Sequence, residues 1–281
     1  MKYSITLAPF RKIDPIDQTI ANLSKQGFDA VEMFGEPQEM DLAKLKDIFS
    51  SYNMPVCGIT GMWGSISKDG WKRKLLSADP ALVQASERYV QECIRMCNLL
   101  GGKEMNVCLF ADDRPGFDKT HGLISPKEKE HIMARVIPIM KRLCKDATTY
   151  GVELLLEPLN RYSTPYCATA KDAAAIAQKV DSLGILLDTF HMNIEEDSFE
   201  DAIQSSGQLL RHTHFADNNR KMPGFAHIDF STIVRCLLEI DYDSYVSFEP
   251  NILDRNYQHA TKRGLEFVKL IEMEMRKAAA A

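Results

Sequence analysis

Short apolar runs alternate with longer amphipathic stretches along the chain. Continuous apolar runs of four to eight residues are typical of strands buried on both faces, and apolar residues spaced three or four apart are typical of helices that cover a sheet. The runs predict eight strands, at Tyr3–Ala8, Phe28–Gly35, Pro55–Gly61, Glu104–Phe110, Glu153–Glu157, Gly184–Thr189, Leu209–Ala216 and Tyr245–Pro250.

A stretch with helical spacing follows each of these runs. The predicted helices are Pro15–Lys25, Asp41–Tyr52, Asp79–Leu100, Pro126–Tyr150, Lys171–Val180, Phe199–Ser205, Phe230–Ile240 and Gln258–Arg276. Eight strand–helix units predict an α/β fold, a closed (β/α)8 TIM barrel. An open doubly wound sheet is the alternative, but it favours a glycine-rich turn after the first strand, and "LAPFRKID" has no glycine. We predict one domain over residues 1–276, with 277–281 as a disordered tail or cloning scar.

Composition narrows the class of protein further. The net charge of −5 gives no basic field for nucleic acid or acidic membranes. No run approaches the roughly 18 apolar residues of a membrane span, and the N-terminus has no signal-peptide pattern. The seven cysteines are scattered without a CxxC pair, which predicts reduced core thiols. We therefore expect a cytoplasmic protein with no nucleic-acid or membrane partner.

Polar residues end four consecutive predicted strands. Glu157, Asp188, His214 and Glu249 each stand at or near the end of an apolar run, and Pro158 ends the fifth strand because it cannot donate to a ladder. In a barrel these ends meet at one mouth. Three carboxylates in a partly dry mouth would repel one another strongly unless a cation neutralised them. Oxygen ligands with one imidazole suit Mn2+, Mg2+, Co2+ or a similar ion.

Further polar residues flank this set. His191 and Arg220 follow the sixth and seventh strands, where they are candidate donors to the oxygens of a bound polyol. Glu32 ends the second strand, and we expect it to orient a metal ligand from behind. His212 alternates with His214, so both are predicted to face the barrel interior.

Two long loops follow the third and fourth strands. The first, "GMWGSISKDGWKRKLLSAD", carries Trp63 and Trp71, and the second is "ADDRPGFDKTHGLIS". Long loops on this side of a barrel indicate lids over a small ligand. We expect Trp63 to cover an apolar face of the substrate.

Four segments carry a family resemblance. "EPLNRY", "LLDTFHMNIEE", "HTHFADNNRKMPGFAHIDF" and "FEPN" resemble the ketose 3-epimerases related to D-tagatose 3-epimerase, within the xylose-isomerase-like barrel superfamily. The match is specific from Glu153 to Pro250, and the earlier part of the chain shares only the strand–helix rhythm.

The resemblance implies a role for each matching residue. It implies that one divalent metal, usually Mn2+ but also Mg2+, Co2+ or Zn2+, is bound by Glu157, Asp188, His214 and Glu249. The two glutamates of that set would also be the acid/base pair, and His191 and Arg220 would bind the sugar. A homodimer or homotetramer is expected. One departure concerns Ser163, which stands where the family has a glutamate that hydrogen-bonds the ketose, so a substrate other than a free ketose is indicated.

The predicted chemistry is C3 epimerisation of a ketose through a cis-enediolate. One glutamate removes the C3 proton and the other returns a proton on the opposite face, since one base serves one face. An aldose–ketose isomerase, an inosose dehydratase or isomerase, and a non-catalytic sugar-binding barrel remain alternatives. A three-metal apurinic endonuclease is disfavoured because "ITGMW" and "CLFAD" lack histidines, and a lysine aldolase because strands five to eight end without lysine.

Overall fold

The computed structural model describes residues 1–62, 70–112, 124–251 and 256–279, apart from the side chain of Trp71. The strands are β1 Lys2–Ile5, β2 Val31–Phe34, β3 Val56–Thr60, β4 Glu104–Val107, β5 Glu153–Leu156, β6 Leu183–Asp188, β7 Leu210–Phe215 and β8 Tyr245–Phe248. The helices are α1 Ile16–Gln26, α2 Leu42–Ser51, α3 Pro80–Leu100, α4 Pro126–Thr149, α5 Ala170–Ala177, α6 Thr189–Glu195, α7 Phe199–Ser206, α8 Phe230–Glu239 and α9 Tyr257–Ala279.

The eight strands form one parallel sheet in the order β1-β8-β7-β6-β5-β4-β3-β2. Its two edges meet through an isolated parallel bridge between Thr6 and Glu32, and the N–H of Leu7 donates to Glu32 O at 2.9 Å. The helices lie between successive strands along the chain, so each covers the outside of the sheet. The predicted (β/α)8 barrel is confirmed.

The barrel interior is rich in polar side chains. Strand residues alternate between the two faces of the sheet, so residues two apart in β4 and in β7 share the inner face. Asn106, His212 and His214 are buried, with exposed fractions of 0–1%. Burying such groups is costly unless each is hydrogen-bonded or paired. Each of these three polar side chains contacts a carboxylate side chain inside the barrel.

Several element ends differ from the sequence-based prediction, and the structure has one additional helix. The run predicted to extend to Ala8 ends as β1 at Ile5, because Ala8–Phe10 turns into a short 3-10 helix with Pro9 in its first turn. Helix α6 was not predicted. Helix α9 continues to Ala279, three residues past the predicted end of the domain.

Two features of the structure bear on the predictions made from composition: the state of the cysteines and the character of the described helices. All seven cysteines are buried and free of disulfide bonds, as their positions in apolar runs predicted. Among the described residues, none of the helices combines the length and apolar character needed to cross a membrane.

Candidate metal centre and active site

The four predicted metal ligands converge at the carboxyl ends of neighbouring strands. Glu157 directly follows β5, Asp188 ends β6, His214 is the penultimate residue of β7, and Glu249 directly follows β8. One ligand atom from each lies within 4.8 Å of the others. His214 Nδ1 is 3.7 Å from Glu157 Oε1 and 3.4 Å from Glu249 Oε2. The structure thus brings together all four residues that the sequence singled out.

The donor atoms of this cluster fit a divalent cation. Glu157 Oε1 and His214 Nδ1 are buried, and neither has a hydrogen-bond partner. A buried polar atom without a partner is costly, and a cation between the two would satisfy both. Ligands on opposite sides of an ion with bonds of about 2.2 Å lie about 4.4 Å apart. The observed spacing therefore needs only small movements to close on an ion.

Asn106 holds Glu157 in place from the neighbouring strand β4. Its Nδ2 donates to Glu157 Oε2 at 2.5 Å, and the Cys108 thiol contacts the same oxygen at 3.4 Å. Asn106 Oδ1 accepts from the N–H of Gly61 at 2.5 Å, which fixes the amide orientation. These contacts leave Glu157 Oε1 facing the cluster. The sequence analysis missed Asn106, although a polar residue inside the buried run "EMNVCLF" was an available signal.

Glu32 lies on the opposite side of the His214 ring from the cluster. Its Oε2 is 2.9 Å from His214 Nε2, and its Oε1 accepts from Thr60 Oγ1 at 2.7 Å. His212 Nε2 is 3.3 Å from the same Oε2, and His212 Nδ1 is 2.7 Å from Glu104 Oε2. Glu32 thus contacts His214 on the side of the ring away from the other three residues of the cluster.

The charges around Glu32 shift its pKa and that of His212. Burial alone would raise the pKa of Glu32, but His214 and His212 outweigh burial and hold it well below its usual range. Burial lowers the pKa of His212, while Glu32 and Glu104 outweigh that effect and raise it to about 9. A carboxylate that remains ionised accepts hydrogen bonds and does not donate them.

Arg220 bridges two of the cluster's carboxylates. Its Nη1 donates to Asp188 Oδ2 at 2.6 Å and its Nη2 to Glu249 Oε2 at 3.0 Å. Burial would raise the pKa of Glu249, but Arg220 and His214 outweigh burial and hold it well below its usual range. The guanidinium also lies over the Phe190 ring, 4.6 Å from its centre. Arg220 is therefore held at the cluster with donors aimed at oxygen.

His191 reaches the same region from α6. Asp188 begins this helix, since its Oδ1 accepts from the N–H of Phe190 at 2.7 Å. The N–H of Asn160 donates to His191 Nδ1 at 3.1 Å, so a neutral ring carries its proton on Nε2. That Nε2 is 3.9 Å from Asp188 Oδ2, beside the cluster. His191 Nε2 thus lies at the edge of the cluster, 3.5 Å from Arg220 Nη2. Asn160 was not predicted from the sequence.

Asp217 organises the loop that carries Arg220, and the sequence analysis missed it. The carboxylate is fully buried and accepts four backbone N–H bonds at 2.8–3.1 Å, from Asn218, Gly224, Ala226 and Ile228. The N–H of Arg220 donates to Asp217 O at 2.8 Å, and Arg220 has a φ of +56°. That left-handed conformation costs a residue with a side chain about 1–2 kcal/mol. The loop contacts must therefore supply this energy.

Of two further residues predicted to bind the substrate, the structure describes Ser163 but not Trp63. Ser163 is half-buried in the turn after β5, where its N–H donates to Asn160 O at 2.9 Å. It is thereby linked to the residue that holds His191. Trp63 lies outside the described residues, as do the side chain of Trp71 and the rest of the predicted lid between residues 63 and 69.

A family model described as the xylose isomerase-like TIM barrel matches residues 20–271, most of the chain. This chain belongs to the xylose isomerase-like TIM barrel family. The L-ribulose 3-epimerase of Methylomonas sp. strain DH-1 is 28% identical to this chain over 235 residues, covering 83% of this chain and 77% of the relative. The 3-dehydro-D-guloside 4-epimerase of Escherichia coli K12 is 26% identical over 259 residues, covering 88% and 91%.

Solved structures of other proteins share the fold. A D-allulose 3-epimerase from Methylomonas sp. in complex with D-allulose has a TM-score of 0.81 at 23% identity and covers 96% of each chain. An L-ribulose 3-epimerase has a TM-score of 0.84 at 23% identity, covering 100% of this chain and 97% of the other. The predicted resemblance to ketose 3-epimerases is confirmed, and so is the prediction of an enzyme.

Proposed function

We propose that this protein is a divalent-metal-dependent sugar epimerase that inverts the hydroxyl-bearing carbon beside a ketone, with C3 of a 2-ketose as its target. One observation carries the proposal. Glu157 and Glu249 belong to one buried ligand cluster, yet they extend from β5 and β8, which are separated by β6 and β7. Two carboxylates on facing walls of one mouth are what a two-base inversion needs.

The proposed metal ligands are Glu157, Asp188, His214 and Glu249, and Mn2+ is the proposed ion. When bound, the ion would polarise the sugar carbonyl and make the adjacent C–H more acidic. His214 would use Nδ1, because its Nε2 is occupied by Glu32. Oxygen-rich sites with one imidazole suit Mn2+ and Mg2+ better than softer ions.

The two glutamates move the proton. Glu157, held by Asn106 through Oε2, takes or returns the proton on one face of the sugar. Glu249, held by Arg220 through Oε2, serves the opposite face. Removal on one face gives an enediolate of the sugar, and return on the other gives the epimer.

Arg220 and His191 orient the sugar. The guanidinium and the Nε2–H of His191 lie beside Asp188, so both offer donors to hydroxyl or carbonyl oxygens of a ligand in the mouth. Arg220 would exchange part of its present pairing for the substrate. Because Asp217 organises the loop that carries Arg220 and Asn160 contacts the His191 ring, little ordering remains to be done on binding.

A second candidate is inversion of C4 beside a C3 ketone in a cyclic keto-glycoside. The E. coli relative, which aligns with this chain over 91% of its own length, is named a 3-dehydro-D-guloside 4-epimerase. Ser163 also favours a substrate other than a free ketose, because it is shorter than the family's glutamate and uncharged. The chemistry is the same, since the inverted carbon again lies next to a ketone. A homodimer or homotetramer in the cytoplasm is part of the proposal.

The test is turnover in heavy water with Mn2+. Purified protein is incubated with L-ribulose, D-psicose, D-tagatose, an inosose and a 3-keto-glucoside, and NMR follows the products. We expect one epimer pair, with deuterium at the inverted carbon. Glu157→Gln and Glu249→Gln should each lower kcat by at least about 100-fold. Glu153→Gln, at the start of the strand that Glu157 follows and outside the cluster, is the matched control and should retain activity.

Other products would contradict the proposal in identifiable ways. A carbonyl that moves between C1 and C2 would make the protein an aldose–ketose isomerase. Loss of water from the inosose would make it a dehydratase. Sugar binding without any deuterium incorporation would make it a binding protein.

A further inference from the structure

A line of four side chains runs through the barrel interior beneath the proposed metal centre. Glu104 on β4 contacts His212 on β7, His212 contacts Glu32 on β2, and Glu32 contacts His214 on β7. The contact distances along this line are 2.7, 3.3 and 2.9 Å. The three side chains nearest the centre are at most 3% exposed: those of His214, Glu32 and His212.

The upper part of the line sets which nitrogen of His214 faces the cluster. His214 Nε2 lies 2.9 Å from Glu32 Oε2, so Nε2 is the ring nitrogen that pairs with Glu32. Nδ1 is then directed toward Glu157 and Glu249. Thr60 fixes the other carboxylate oxygen, so Glu32 can rotate little without losing a buried hydrogen bond.

His212 supports both members of that pair. Its ring lies edge-on to the His214 ring, with centroids 5.3 Å apart and planes at 88°. Its Nε2 lies against Glu32 Oε2, and its Nδ1 is anchored by Glu104. His212 is not one of the four proposed metal ligands, although with Glu32 and His214 it forms a second group whose donor atoms lie within 4.8 Å of one another. His212 therefore contacts Glu32 and the His214 ring, and it does not contact the atoms that would react.

We propose that His212 is a positioning residue for the metal centre, which fixes the Glu32 carboxylate and the plane of the His214 ring so that Nδ1 stays aimed at the ion. Glu104 in turn fixes His212. The inference rests on the proposed metal centre but not on the identity of the sugar. Partners behind a ligating histidine change metal affinity by about 10–100-fold when removed. Here the residue directly behind the ligating His214 is Glu32, and we expect the effect on metal affinity to extend to His212 behind it.

The experiment is a Mn2+ titration of the metal-stripped protein without any sugar. His212→Phe keeps an aromatic ring against His214 but removes both nitrogens, and we expect the Kd for Mn2+ to rise by about tenfold or more. Thr60→Val removes the other anchor of Glu32 and should raise the Kd by a smaller factor. Thr19→Val is the matched control, since Thr19 is equally buried but bonds Pro15 O on α1. Its Kd should equal that of the wild type.

A spectroscopic readout separates positioning from general loosening. In protein loaded with diamagnetic Zn2+, the Nε2–H proton of His214 should resonate far downfield, and it should move in His212→Phe and in Thr60→Val but not in Thr19→Val. A folded His212→Phe with a Kd within twofold of the wild type would overturn the proposal. If His212→Phe does not fold, Glu104→Ala, which removes the partner of His212 Nδ1, takes its place, and an unchanged Kd with an unmoved proton in that variant would overturn the proposal.

Two further outcomes distinguish this inference from the proposed function. Two Mn2+ ions per wild-type chain, falling to one in His212→Phe, would make His212 a metal ligand and so overturn the positioning role. A wild type that binds one Mn2+ but epimerises no keto sugar would contradict the proposed function and leave the affinity result for His212 standing. A wild type that binds no divalent ion would overturn both.

Discussion

Replacing Asp217 by asparagine tests how the loop after β7 positions Arg220. The carboxylate accepts four backbone N–H bonds, two on each oxygen. An asparagine amide has one oxygen, so in either orientation two of the four N–H groups lose their acceptor and face an NH2 group instead. Asp217→Asn thus changes hydrogen bonding with almost no change in volume.

The magnitude follows from these contacts. A hydrogen bond to a charged group contributes about 1.5–3 kcal/mol, so two lost bonds set an upper range of about 3–6 kcal/mol. Loop relaxation and water entry recover part of it, and we expect the free energy of unfolding to fall by about 3 kcal/mol. The loop would also hold Arg220 less firmly at φ +56°. A loss of about 1.4 kcal/mol in transition-state binding is tenfold in kcat/KM, and we expect at least that.

The assay combines urea unfolding with steady-state kinetics on the best substrate. Asp229→Asn is the control, because Asp229 is an exposed carboxylate that caps α8 in the same loop region by accepting from Ser231 and Thr232. It should cost about 1 kcal/mol or less and leave kcat/KM unchanged. If Asp217→Asn behaves like Asp229→Asn in both measurements, the loop does not depend on Asp217 and the reasoning is wrong.

Three other outcomes are expected. Asn106→Ala should lower kcat by about tenfold or more with a smaller change in KM, because Glu157 loses the donor that fixes Oε2. Ser163→Glu should shift kcat/KM toward free ketoses by about 1–3 kcal/mol, measured on the substrate panel against wild type; equal ratios would show that Ser163 does not set specificity. Chelation by EDTA should abolish turnover and lower the thermal unfolding midpoint, and Mn2+ should restore both; activity that survives full chelation would contradict the metal centre.

The barrel could be predicted from the sequence because parallel strands buried on both faces appear as continuous apolar runs. The ends of the strands were predicted less accurately than their positions along the chain. Asp188 belongs to β6 and also caps α6, so the pattern around it indicated a strand and hid the seven-residue helix that carries His191. A single residue with two structural roles cannot be assigned to both from its apolar neighbours alone.

The four metal-ligand candidates could be predicted because barrel topology brings successive strand ends together. Asn106 and Asp217 could not, for two different reasons. The role of Asn106 depends on the side-chain contact between β4 and β5. The role of Asp217 depends on backbone N–H groups that a loop turns inward, and the run "DNNR" is polar in the manner of any exposed turn.

The position of a bound ion tests the central claim most directly. Crystals grown with Mn2+ and measured at an X-ray energy where manganese scatters anomalously should show one strong anomalous peak per chain. We predict this peak within about 2.0–2.4 Å of Glu157 Oε1, His214 Nδ1 and carboxylate oxygens of Asp188 and Glu249. A peak between Glu32, His212 and His214 Nε2, or none at the mouth of the barrel, would contradict it.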